Sequence, residues 1–384
     1  MYTTSFPVDR LKDIPTPFYY YDLDLLRHTI NTMKAEADKD SYHIHFAVKA
    51  NNNPRILGII AEAGLGADCV SGGEIRMALE AGIPASRIVF AGVGKDDWEI
   101  ELALDSRIFC LNVESAAEMK VINDIARRKG LTAPIALRIN PDIDAHTHDK
   151  ITTGRKETKF GINIGLISDA MELVKESANL KLTGIHAHLG SQITDLDVFR
   201  ALAERFNDIQ DFFEDEGLPL QHINFGGGLG VDYVEPDNCI PDFAGYFNIF
   251  RQGTEARPGQ SLHFELGRSI VAQCGTLIAK TIYVKEGETK NFAVINAGFT
   301  ELIRPAMYDA WHHIRNISSK LPPEDYDVVG PLCESSDVFG TDRSINGITR
   351  GDLIAIQTAG AYGEVMASQY NARPLPKSYF SDSI

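Results

Sequence analysis

Eight short β-rich runs, each followed by an amphipathic helix-like stretch, fill the first two-thirds of the chain. This alternation restricts the fold more than any other feature. The runs cover residues 43–50, 66–71, 88–92, 109–113, 135–140, 184–190, 222–228 and 262–268. Helix-like segments lie between them, among them 54–63, 73–81 and 115–129, with Pro54 suited to a first helical turn and Ser115 to an N-cap. Alternation of this kind calls for a parallel sheet covered by helices, either closed as a (β/α)8 TIM-type barrel or open and doubly wound. The count of eight favours the barrel. After about residue 268 the rhythm changes, and 275–285, 291–297, 326–333 and 352–358 read as strands without regular helices between them. Residues 16–22 (TPFYYYD) are also strand-like and are expected to pair with those C-terminal strands. The α/β chain is thus predicted to form a barrel over residues 24–267 and a second, discontinuous β-rich domain, sandwich or barrel-like, from residues 1–23 plus 268–384.

Charge narrows the partners. With 37 basic and 53 acidic residues, the formal net charge of −16 repels phosphate backbones and argues against nucleic acid. An anionic small molecule would need a local cationic pocket. No run approaches the roughly 20 apolar residues of a membrane span. Residues 1–10 lack a basic start followed by an apolar run, so neither a signal peptide nor a membrane partner is expected. The five cysteines, Cys69, Cys110, Cys239, Cys274 and Cys333, are dispersed and form no CxxC pair. A disulfide framework and a zinc knuckle are therefore not expected, and a cytoplasmic location fits.

In a barrel, functional groups gather at the C-terminal ends of the strands. Lys49 ends the first run, where a lysine after apolar residues is either a surface group or a Schiff-base amine held over a cavity. Gly226, Gly227 and Gly228 end the seventh run. They read as a plain turn or as a backbone N–H cradle for phosphate; no Lys-Ser/Thr follows, so this is no Walker loop. Glu265 lies inside the apolar eighth run and needs a partner, which could be Arg268 or the protonated ring nitrogen of a cofactor. His186 and His188 share one face of the sixth run. A metal pair is conceivable there, but stacking of His188 on an aromatic cofactor, or a core histidine, suits the sequence better. His146 and His148 receive no role, and no metal is expected. Together these groups describe a pyridoxal 5'-phosphate site.

The segments AVKAN, HAHLGSQ, NFGGGLG, ELGR, LIRPAMY, CESSD and AGAYG resemble the fold-type III pyridoxal-phosphate decarboxylases, the family of alanine-racemase-like barrels, and best of all its diaminopimelate decarboxylase branch. The resemblance runs from about residue 15 to residue 375. It implies decarboxylation of meso-2,6-diaminopimelate to L-lysine and carbon dioxide, the last step of lysine biosynthesis, by a homodimer with shared active sites. It implies that Lys49 bonds the cofactor aldehyde, His188 stacks on the ring, and Ser191 and the Gly226–Gly228 loop hold the phosphate. Glu265 would face the ring nitrogen, Gly267 would contact the cofactor, and Arg268 would stand near its phosphate. Arg268, Arg304, Tyr308 and Tyr362 would bind substrate, Tyr362 also touching the phosphate. Cys333, acting in the partner's site, would donate a proton, and Glu334 would bind the distal ammonium.

Two departures from the family pattern stand out. Leu266 replaces a usual proline in ELGR, and Ser336 replaces a usual glycine in CESSD, so a positive φ is either tolerated at 336 or no longer required. Three rival readings remain: a sister decarboxylase for carboxynorspermidine, ornithine or arginine; an amino-acid racemase, against which Glu265 argues; and a cofactor-carrying protein without catalysis.

Overall fold

The computed structural model describes residues 6–143 and 159–384, so His146 and His148 lie outside the described residues. The chain divides into two compact units, residues 31–230 with 242–267 and residues 1–30 with 231–241 and 268–384.

The first unit is the expected barrel. Its eight parallel strands are His43–Ala47, Gly66–Cys69, Ile88–Phe90, Cys110–Val113, Ala133–Asn140, Leu180–His186, His222–Asn224 and Ser261–Leu266. Each pairs with the next, and the eighth pairs back to the first through His43↔His263 and His45↔Glu265, which closes the ring. Most strands end two to four residues before the sequence runs do. The chemistry-bearing residues Lys49, His188, Gly226 and Gly267 therefore sit in the turns just past the strand ends. The covering helices start where the sequence indicates. Pro54 occupies the first turn of Pro54–Glu62 behind an Asn53 cap, and the Ser115 side chain accepts the N–H of Glu118 at 3.2 Å.

Period-2 alternation decides which side chains enter the barrel. In the eighth strand Phe264 faces outward, against Phe225, Tyr246, Phe247 and Phe250, so His263 and Glu265 face inward. The first strand likewise sends His43 and His45 inward. The lower interior is consequently polar and aromatic where branched aliphatics are usual. His263 stacks on His43 and His45 with centroids at 4.7 and 5.1 Å, and Phe109 and His222 pack beside it.

One hydrogen-bond chain fixes the tautomers of this layer. His45 Nδ1 reaches the Arg87 carbonyl at 3.0 Å and so carries the hydrogen. His45 Nε2 then accepts from His263 Nδ1 at 2.8 Å, and His263 Nε2 accepts from the Ser261 hydroxyl at 2.8 Å. Burial pushes His45 down to about 4 and His222 to about 3, and holds His263 well below the usual range. A histidine kept neutral in the fold but titrating near 6.5 when unfolded contributes stability above pH 6.5 that is lost as pH falls through the folded value. Asp68, raised to about 6, and Glu74, raised to about 7, oppose this trend, but the three imidazoles outweigh the two carboxyls. The urea midpoint is expected to drop between pH 7.5 and pH 5, with His45 alone accounting for about 2 kcal/mol. An unchanged midpoint would show that the layer is not held neutral.

The second unit is an eight-stranded mixed sheet. Phe18–Tyr21 pairs antiparallel with Gly275–Ile278 and parallel with Lys377–Phe380, so the N-terminal run does join C-terminal strands. Leu11, Phe18, Tyr20, Ile278, Leu353 and Ala355 form a core cluster. Residues 231–241, which the strand rhythm left inside the barrel, belong to this unit. Gln273 donates to the carbonyls of Pro236 and Cys239, and Arg315 and Gln357 bind the Asp237 carboxylate. The expected strand over 326–333 is Pro323–Val329 instead and stops short of Cys333.

Candidate active site

Lys49 sits in the turn Val48–Ala50 that leaves the first barrel strand, and its Nζ donates to Asp68 Oδ2 at 2.5 Å. Asp68 ends the interior side of the second strand and is fully buried. Burial and the charge of Glu265 push its carboxyl up to about 6, against the pull of Lys49. Sequence reasoning overlooked Asp68, although a carboxylate inside the short strand GADC is the same signal that singled out Glu265.

Glu265 is buried, but Arg268 is not its partner. Its Oε2 accepts from His186 Nε2 at 3.0 Å, and its Oε1 accepts from Asn224 Nδ2 at 2.8 Å and Asn112 Nδ2 at 3.2 Å. Burial alone would raise this carboxyl; His186 first, then Lys49 and His188, hold it below the usual carboxylate range. The histidine pair therefore divides its work: His186 serves Glu265, and His188 lies in the loop beyond the strand. The Gly227 N–H donates to His188 Nδ1 at 3.2 Å, so that nitrogen carries no hydrogen. Burial, then the charges of Arg138 and Lys49, keeps His188 neutral. No metal-binding cluster occurs among the described residues.

The glycine loop is shaped by close backbone approach. A Cβ on Gly226 would strike the Ala187 carbonyl and one on Gly227 the Glu265 carbonyl, while Gly226 and Gly228 have φ of 68° and 113°. The Gly226 N–H is already taken by Asn224 Oδ1 at 2.9 Å. The Gly228 N–H has no acceptor among the described residues. Ile193 N–H donates to the Gly228 carbonyl at 2.9 Å, tying the loop that bears Ser191 to the glycines. Gly267 fits closely against Ala47 and Ala50, where a Cβ would come within 2.9 Å of either methyl.

These residues fit pyridoxal phosphate. A lysine amine, a buried ionised carboxylate and a glycine turn meet at one barrel mouth. Asp68 Oδ1, Asn112 Oδ1 and His186 Nδ1 are buried there without hydrogen-bond partners among the described residues.

The second unit holds a cationic cluster. Arg304 opens the short helix Arg304–Tyr308 and is buried, while Tyr308 on the same turn is half-buried. The Arg304 guanidinium donates to His312 Nε2 at 2.8 Å and lies 4.7 Å over the Tyr233 ring. His312 Nδ1 donates to the Gln357 carbonyl at 2.9 Å, so the ring is neutral. Burial and then the charge of Arg304 push it down to about 3. Arg268, also buried, donates to the Tyr233 hydroxyl at 2.6 Å and lies 4.8 Å over the Tyr362 ring. Arg304 makes no ion pair among the described residues, and a buried guanidinium has the geometry to receive a carboxylate.

Cys333 is exposed rather than packed in a core. Its loop is organised by Asp337, whose carboxylate accepts the N–H groups of Phe299 at 2.7 Å and Leu332 at 2.8 Å. Glu334 accepts from the Tyr370 hydroxyl at 2.5 Å. Ser336 does not take a positive φ, so serine is unstrained there.

Residues 23–272 match the family described as pyridoxal-dependent decarboxylase, pyridoxal binding domain, the class of enzyme that this barrel and its interior groups define. A diaminopimelate decarboxylase of Bacteroides thetaiotaomicron is 54% identical over 381 residues, covering 99% of each chain. One from Zymomonas mobilis is 43% identical over 94% of this chain and 86% of its own. The solved Helicobacter pylori diaminopimelate decarboxylase complexed with L-lysine superposes with a TM-score of 0.89 at 41% identity, over 97% of this chain and 93% of that one. The chain belongs to the diaminopimelate decarboxylase family.

Proposed function

We propose that this enzyme decarboxylates meso-2,6-diaminopimelate to L-lysine and carbon dioxide, the closing step of lysine biosynthesis. The observation that carries the reading is the presence, inside one barrel, of Lys49 and of Glu265 held as an anion by three donors. The names of the relatives and the L-lysine bound in two solved ones support the substrate.

Bound pyridoxal phosphate supplies an electron sink for the bonding pair released when the Cα–carboxylate bond breaks. Lys49 would hold the cofactor through its aldehyde. Asp68, poised near neutral ionisation, takes and returns protons at Lys49 Nζ. Glu265 keeps the ring nitrogen protonated. The Gly226–Gly228 loop, with Ser191, would receive the phosphate, and His188 would cover the ring. Arg304, Tyr308, Arg268 and Tyr362 bind substrate carboxylate, Tyr362 also serving the phosphate, and Glu334 binds the distal ammonium.

Cys333 delivers the proton that replaces the lost carboxylate at Cα. We assign Cys333 and Glu334 to the active site of a partner subunit in a cytoplasmic homodimer, a reading supported by the exposure of Cys333. Cys333→Ala is expected to retain the cofactor absorbance and slow turnover about 10²-fold, the contribution of a positioned proton donor. Undiminished turnover would remove Cys333 from that role.

Carbon dioxide release tests the substrate. Release from meso-diaminopimelate is expected to depend on added pyridoxal phosphate and to exceed release from ornithine, arginine and carboxynorspermidine. Faster release from any of those three would reassign the enzyme to a sister activity.

A further inference from the structure

We propose that His186, Asn112 and Asn224 are positioning residues for the decarboxylation, fixing Glu265 in one orientation and in its ionised state as it meets the cofactor's ring nitrogen. The proposal rests on the role assigned to Glu265 above and extends it to three residues from three other strands.

The argument is one of hydrogen-bond capacity. An ionised carboxylate offers about four acceptor sites. Two on Oε1 are taken by Asn112 and Asn224, and one on Oε2 by His186. One site remains, on Oε2. All three neighbours are donors in a fixed sense. Asn224 cannot be turned round, because its Oδ1 accepts the Gly226 N–H and so commits Nδ2 to Glu265. Reversing Asn112 would set its carbonyl oxygen against a carboxylate oxygen. His186 must carry hydrogen on Nε2 to hold Oε2. A protonated Glu265 would place its O–H in that remaining site, where the ring nitrogen's hydrogen is to be received, and would leave all three donors facing a neutral group, a weaker acceptor than an anion. The neutral acid is therefore disfavoured by geometry.

The other titratable groups facing Glu265 are Lys49, His188 and His45, together with Asp68, Cys110 and Tyr246. Of these only Lys49 is a lysine or arginine, and its Nζ donates to Asp68 Oδ2. Once the donors are removed, burial dominates and the carboxyl takes up a proton in the neutral range. The Gly226 contact adds a link between sites. The loop proposed to receive the phosphate also orients the amide that orients Glu265.

The test uses holoenzymes of wild type, His186→Phe, which keeps a flat ring without a donor, and His186→Gln, which restores an N–H. The pH dependence of kcat and of the cofactor's visible absorbance is followed from pH 5 to 9. His186→Phe is expected to move the acid limb of both profiles upward, lowering kcat at pH 7 by about 10- to 100-fold with KM little changed, the usual toll of removing a group that orients a functional residue. His186→Gln is expected to bring the limb back toward wild type. Should His186→Phe not fold, Asn112→Leu probes the same carboxylate, with the same shift expected. Coincident profiles for wild type and the donor-less variant, alongside a disabled Glu265→Gln enzyme, would overturn the positioning role alone. A fully active Glu265→Gln enzyme would instead overturn the reading of Glu265 beneath it.

Discussion

Replacing Lys49 with alanine is expected to abolish the visible absorbance of bound pyridoxal phosphate and to reduce decarboxylation by about 10⁴-fold or more, the scale on which loss of a covalent group acts. The reason is local. Lys49 stands in the turn beyond the first strand, with its amine directed onto the buried Asp68 at 2.5 Å. A buried carboxylate at the end of an apolar strand is tolerated because that amine lies against it. Alanine removes both the bonding amine and the partner of Asp68, whose carboxyl then holds a proton at neutral pH. The fold should survive, since the barrel core is built from residues on either side of this position. Absorbance spectra and a thermal melt of the purified variant check both statements. A retained band in a folded Lys49→Ala protein would mean that another amine holds the cofactor.

Glu265→Gln carries the second large effect. The amide keeps the shape but removes the charge. It also presents an NH2 group to a shell in which His186, Asn112 and Asn224 are all donors. One of those donors must lose its acceptor, and the ring nitrogen loses the anion that keeps it protonated. A fall in kcat of about 10²- to 10³-fold is expected, comparable to removing one preorganised electrostatic contact from a reacting centre. Cofactor should remain bound through Lys49. Turnover close to wild type would show that the ring's charge does not depend on this residue.

The residues behind these two predictions were legible in the sequence because each breaks a pattern. Lys49 and Glu265 interrupt apolar strands of period 2, and the glycine run ends another strand. Alternation sends Glu265 inward, and Lys49 and His188 lie in the turns just beyond the first and sixth strands. The supporting shell was not legible. Asn112, Asn224 and His186 come from the fourth, seventh and sixth strands, and as single polar residues each could as well have satisfied its own backbone. Only ring closure, which pairs His45 with Glu265, brings them to one carboxylate. Asp68 could have been found by the rule applied to Glu265.

In the second unit the reading was coarser. Val338–Asn346, with its run Gly340–Thr341–Asp342–Arg343–Ser344, is too polar to announce a strand, yet it pairs along Pro323–Val329. Ile314–Asn316 is too short to show a period. The strand expected to reach Cys333 stops at Val329. Asp337 draws the N–H groups of Phe299 and Leu332 into a loop, so the cysteine is exposed.

Treating the holoenzyme with borohydride, digesting it and weighing the peptides tests the central claim most directly. A pyridoxyl-phosphate increment on the peptide that carries Lys49, and on no other, is the result expected. Finding the increment on a different lysine, or on none in an enzyme that still releases carbon dioxide, would contradict the account.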